Sequence, residues 1–491
     1  MKRNSLIRCA AWLLTLCAAV PLAVSCQINE TEVSTDTTDA ITTAVTDSGD
    51  DELTYEYDLY DYDEYEFVIL NEETCDWANP VIAPEKLNGE SVNDAQYNRK
   101  TVVEDRLNIT IREEKVLGDR LAQMTRRNQS SGDTQYDVVS NRNNEVGRLG
   151  ANGYLVDLLQ IDSIHFDEPW WDRMLHERAT IDDKLFFASS DISLFPFEAT
   201  WILYFNETLF NNLDIEYPYD LVREGKWTLD AMYNIIKEGT NVNATEYTPN
   251  GHNIYGMKTH SQNLDAFLIG SEEPYIRLDD DGYPHVIQMT EHFYNAASKI
   301  MKITSDPNQY SDVSRHPLIF DNILYEFQTD SFLFAAETLG HLADFRNYEG
   351  NFGVLPVPKY DEHQETYVSM IATWGVQFLT IPNTDTNLER TGVILDYLAY
   401  QSYISLMEPY YDSYLTQKGV RNEDSAQMLS IIRNTRTLCL GHLFGWTDAL
   451  APKLKSLLLD GETNIASNIE SLRNSVEKYI ENTMKKYADL D

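Results

Sequence analysis

Carboxylates, tyrosines and tryptophans dominate the residues of this chain that could do chemistry. Asp and Glu number 79 against 38 Lys and Arg. Some acidic pair will therefore fall at a hydrolytic acid–base separation by chance, and none can be assigned a catalytic role from sequence. His165, His176, His341 and His442 have no metal-ligand spacing and read as ordinary core or surface side chains. The run Asp279–Asp281 lacks the spacing of a calcium loop and, followed by Gly282, reads as a tight turn. No G-x-S-x-G, phosphate-binding or dinucleotide glycine loop, H-E-x-x-H or paired C-x-x-C occurs. These patterns predict a chain without catalytic residues, metal or cofactor.

One residue has a clear chemical future. Lys2, Arg3 and Arg8 precede a short apolar run from Ala10 to Val20, too short to span a bilayer and shaped like an export signal. It closes on Ala23-Val24-Ser25-Cys26, which resembles a bacterial lipobox, in which the cysteine takes a lipid thioether after cleavage. An ordinary signal peptide would share the small residues; a cysteine followed at once by a polar stretch favours the lipoprotein. From Gln27 to Glu66 there are fourteen acids and no Lys or Arg, ending in "YEYDLYDYDEYE". Such a segment is expected to stay an extended, self-repelling tether. The signal is thus expected over 1–25 and the acidic disordered tether over 26–66.

The formal net charge of −41 argues against nucleic-acid partners and anionic lipid surfaces. Of the five cysteines, Cys9 and Cys17 leave with the signal and Cys26 is committed to lipid. Cys75 and Cys439 remain, too few for a disulfide framework, with two thiols favoured over a bridge. The rest of the 491 residues exceed what one core usually serves, so two lobes are expected.

The elements that would position a site follow an α/β rhythm. "YEFVIL", "ITIREEKV" and "YDVVS" are strand-like. Between them lie helical stretches, the first with Val92, Tyr97, Val102, Val103 and Leu107 on one predicted face. The loop holding Cys75 and Trp77, and the residues after Ser140, would then lie at the carboxyl ends of parallel strands, where open α/β sheets take ligands. "KLFFASS" and "TWILYFN" read as two further strands, "WTLDAMYNIIKEG" as a helix capped by Thr228, and "YIRLDDDGYPHVIQM" as a hairpin.

The ordered series "GESVNDAQYNRKTVVEDRLNITI", "YDVV", "GYLVDL", "PWWD", "LYFNETLF", "WTLDAMYNIIK", "FGVLPVPKY" and "YVSMIATWG" resembles the extracellular solute-binding proteins of sugar-type ABC importers, over residues 67–491. The resemblance implies a periplasmic-binding-protein-like α/β fold, type II-like, with two lobes joined by crossing strands. By analogy the first lobe is 67–188 plus 315–362 and the second 189–314 plus 363–491, with crossings near "FFASSD", "SDVSRHP" and "ETYVSM". It implies a receptor, lipid-anchored at the outer face of the bacterial membrane, that takes a carbohydrate into the interlobe cleft and delivers it to a permease. A surface glycoside hydrolase and a ligand sensor for a membrane signalling protein remain alternatives. The ligand-binding residues it implies are Trp77, Asn141, Arg142, Glu198, Trp201, Glu337, Thr338, Thr373 and Trp374, with Trp374 foremost and Trp170 and Trp171 as packing.

Overall fold

Strand pairing in the computed structural model sorts this chain into two main sheets. The structure describes residues 53–75, 77–244, 247–248, 252–312, 327–415 and 423–490, so the signal segment, Cys26 and the first part of the acidic stretch lie outside it. In the first sheet β1 (Tyr65–Glu72) lies between two parallel neighbours, β2 (Ile109–Val116) and β3 (Val138–Arg142). In the second, β4 (Trp201–Asn206) and β5 (Tyr255–Thr259) flank a shared central strand. The hairpin expected at Asp281-Gly282 forms from β6 (Ile276–Leu278) and β7 (Pro284–Val286), with Gly282 at φ +76°. Next along the chain come β8 (Tyr310–Asp312), β9 (Phe332–Thr338) and β10 (Phe352–Leu355). They are followed by β11 (Ser369–Met370), β12 (Gln377–Thr380) and β13 (Arg436–Thr437), of which β11 and β13 pair with each other. The orders are β12-β3-β1-β2 and β10-β4-β9-β5-β8.

This pairing reverses part of the expected division. Strands β9 and β10, expected with the first lobe, lie on either side of β4, and β12, expected with the second, closes the first sheet against β3. The segments "WILYFN", "FLFAAET" and "FGVL" are buried at every position. Such continuous apolar runs belong in one doubly covered sheet. The crossing expected near "SDVSRHP" falls largely outside the described residues, and β8 before it and β9 after it belong to the same sheet. "KLFFASS" forms no regular strand. Ala188 bridges Leu379 and Thr200 bridges Ile371, so the chain leaving the first lobe and the chain returning to it run side by side, antiparallel.

Local chemistry sets several elements as expected. Thr228 caps its helix, its hydroxyl accepting from the Ala231 N–H at 3.2 Å. The helix Ser91–Leu107 departs from the predicted face: Gln96, Arg99, Val103 and Leu107 are buried, whereas Val102 is 45% exposed. No disulfide joins Cys75 to Cys439.

The acidic stretch is not a tether up to Glu66. Tyr55, Tyr57, Leu59, Tyr62 and Tyr65 pack against the core of the first lobe. The Tyr55 ring centroid lies 5.1 Å from that of Tyr397 and 5.7 Å from that of Trp170, and its hydroxyl donates to Asp396 at 3.0 Å. Tyr57 donates to Glu168 and stacks on His165. The buried Asp396 also accepts from the indoles of Trp171 at 2.7 Å and Trp170 at 3.2 Å, which makes these two tryptophans structural. Average composition hid this strap, because tyrosines two apart put their rings on one side of an extended chain. Each ring can bury roughly 150 Å² or more, about 4 kcal/mol at about 25 cal/mol/Å². That offsets an ordering cost of about 1–2 kcal/mol per residue.

Candidate functional site

Both sheets turn the carboxyl ends of their parallel strands into loops that meet. In the second sheet β5, β8 and β9 end together, with Thr259 opposite Asp312 and Ala336, and the start of antiparallel β4 places Trp201 beside Thr338. In the first sheet Glu72 ends β1, Arg142 ends β3, and Gln377 opens β12 opposite Arg142. The loop after β1 carries Trp77; the loop before β12 carries Thr373 and Trp374.

These two loops bring the expected tryptophans together. The Trp77 and Trp374 rings lie 5.3 Å apart at 52°, and Phe195 stands edge-on to Trp77 at 5.0 Å. Trp374 is 49% exposed, and its indole N–H donates to Gln262, just beyond β5, at 2.5 Å. Gly375 follows at φ +77°, a left-handed turn that a side chain would strain. A half-exposed indole held at one edge offers a face to the apolar C–H side of a flat ligand.

Charged groups line the rims on either side. Arg142 pairs with Glu72 at 2.5 Å, and Gln377 also donates to Glu72. At the end of β9, His341 lies 3.0 Å from Asp344 and 3.9 Å from Glu337. Burial acts to lower the His341 pKa, but these carboxylates outweigh it and leave the ring above its ordinary value.

Other expected residues have structural roles. Asn141 is fully buried in the first sheet, donating to Thr125 at 3.1 Å and Thr380 at 2.9 Å. Trp201 is 3% exposed, and its indole N–H finds no acceptor among the described residues. Both depart from the expectation of an open, ligand-facing side chain, for one reason: their strands are covered on both faces, so a place near a strand end does not by itself leave a side chain open. Glu198 is buried and accepts from the Asn79 backbone N–H at 2.5 Å. Glu337, Thr338 and Thr373 are buried at the rim, and Arg142 is committed to Glu72. The sequence reading missed Gln262, Phe195, Glu72 and Gln377. Gln262 could have been found by applying the strand-end rule to the short strand "YGMKT".

Among the described residues no group of three His, Cys, Asp or Glu is placed to hold a metal, and no helix is long and apolar enough to cross a membrane. A cavity of about 660 Å³ between Arg148, Trp446 and Tyr479 contains none of the rim residues above.

No family model and no curated protein matches the chain. Solved structures do. A cyclic alpha-maltosyl-1,6-maltose binding protein from Arthrobacter globiformis is similar over 85% of this chain and 100% of its own, at 14% identity and a TM-score of 0.59. An ABC substrate-binding protein from Listeria monocytogenes in complex with cycloalternan covers 88% and 100%, at 11% and 0.52. A cyclo/maltodextrin-binding protein complexed with maltotetraose covers 86% and 97%, at 13% and 0.54. The chain has the periplasmic-binding-protein-like fold of these solute-binding proteins, two α/β lobes joined by crossing strands.

Proposed function

We propose that this chain is a receptor that captures a sugar or oligosaccharide between the rims of its two sheets, releases it unaltered, and serves the permease of an ABC importer. The carrying observation is the Trp77–Trp374 pair, gathered from loops about 300 residues apart at the carboxyl ends of the strands and left partly open. Support also comes from the three solved proteins of this fold, each described as binding a maltose-type sugar or cycloalternan. The antiparallel crossing at Ala188–Leu379 and Thr200–Ile371 gives a hinge about which closure can follow binding.

A thermal-shift screen of sugars and peptides tests the receptor. A binder at about 100 times its dissociation constant adds about 2.7 kcal/mol to stability, so the matching sugar raises Tm clearly. A rise with peptides alone overturns the sugar assignment, and chromatographic recovery of cleaved glycan overturns the receptor. The anchor is proposed at Cys26, which holds the receptor at the outer face of the cell membrane. Cys26→Ala should abolish incorporation of labelled palmitate and move the protein from the membrane to the soluble fraction. Unchanged labelling would place the lipid elsewhere.

A further inference from the structure

The loop after β1 begins and ends in the first lobe but rests on the second. On its own side, Asn71 donates to the Pro80 carbonyl at 2.6 Å and Gln96 to the Val81 carbonyl at 2.7 Å. On the far side, the Asn79 N–H donates to Glu198, the Trp77 ring packs on Phe195, and the Trp77 carbonyl lies against the backbone of Gly340 just beyond β9. A methyl group added at Gly340 would stand 2.1 Å from that carbonyl oxygen, so the approach requires a residue with no side chain. Phe195 and Glu198 belong to one helical turn that closes the crossing segment, two residues before Thr200 bridges Ile371.

We infer that Glu198 is a positioning residue, whose buried carboxylate seats Trp77 against Trp374 and ties the loop of the first lobe to the rim of the second. This rests on the sugar-receptor reading for its purpose but not for its geometry. A buried carboxylate accepting a backbone N–H makes a strong, directional contact. A tryptophan held this way presents its face to a ligand without first losing conformational freedom. Opening the two rims requires this contact to part, together with the Trp374–Gln262 hydrogen bond.

Fluorine NMR of the ligand-free protein labelled with 5-fluorotryptophan tests it, with the Trp77 signal assigned by Trp77→Phe. Glu198→Ala should shift and broaden the Trp77 and Trp374 signals while the signal of buried Trp446 stays in place. Glu198→Gln, which keeps an acceptor oxygen at the same reach, should leave all three close to wild type. Gly340→Ala should move the same two signals by pushing the Trp77 carbonyl away with Glu198 intact. An unmoved Trp77 signal in Glu198→Ala, or one moved equally by Glu198→Gln, overturns the inference. Equal displacement of Trp446 in Glu198→Ala together with silence in Gly340→Ala overturns it as well. No sugar is present, so a failure here leaves the receptor reading standing, and a failed sugar screen leaves this result standing.

Discussion

Arg99→Met is expected to lower stability by about 3 kcal/mol, enough to see as a clear loss of denaturation midpoint in urea. Arg99 is 2% exposed in the middle of the helix Ser91–Leu107. Its guanidinium donates to the carbonyls of Ile192 at 3.1 Å and Ile82, and to the Ser402 hydroxyl at 3.0 Å. It thereby joins four segments, one of them the crossing. Burial lowers its pKa to about 10, with Glu113 and Asp191 pulling the other way. That shift represents a cost of about 3 kcal/mol for keeping the charge inside, which methionine would relieve. Methionine also strands two buried carbonyls and removes a donor from the Ser402 hydroxyl, which keeps its own bond to the Leu398 carbonyl. Hydrogen bonds from a charged donor are worth about 1.5–3 kcal/mol each. The loss exceeds the relief. A midpoint unchanged in Arg99→Met would mean that packing, rather than these three bonds, holds the junction.

The second large effect falls on binding. Trp374→Ala should weaken the sugar found by thermal shift at least ~10-fold, about 1.4 kcal/mol. The Tm of the ligand-free protein should hardly move. The side chain is half exposed and gives up little buried surface, whereas a bound ring would lose its stacking face. Calorimetric titration reads the first quantity and a melting scan the second. A drop in Tm with affinity preserved would make Trp374 a packing residue and remove the observation on which the sugar reading stands.

Trp77 and Trp374 were legible as site candidates because each lies in a loop that follows a strand. Asn141 and Trp201 looked equivalent in sequence and were not. Asn141 satisfies its amide inside the first sheet, and Trp201 turns into the core. A side chain's direction depends on strand register, and register is a property of the pair.

What the sequence by itself determined is the local and periodic part: the strands β1 and β2, the Thr228 cap and the Asp281-Gly282 turn. Each depends on residues within a few positions of one another, where spacing and backbone preference are enough. Only the tertiary structure decided that β9 and β10 flank β4, that β12 returns to β3, and that a tyrosine strap folds onto Trp170 and Tyr397. Those choices join segments up to hundreds of residues apart, and several partners would be equally apolar. The one selected buries both faces of the central strands along most of their length, a condition met by the whole chain and by no segment of it.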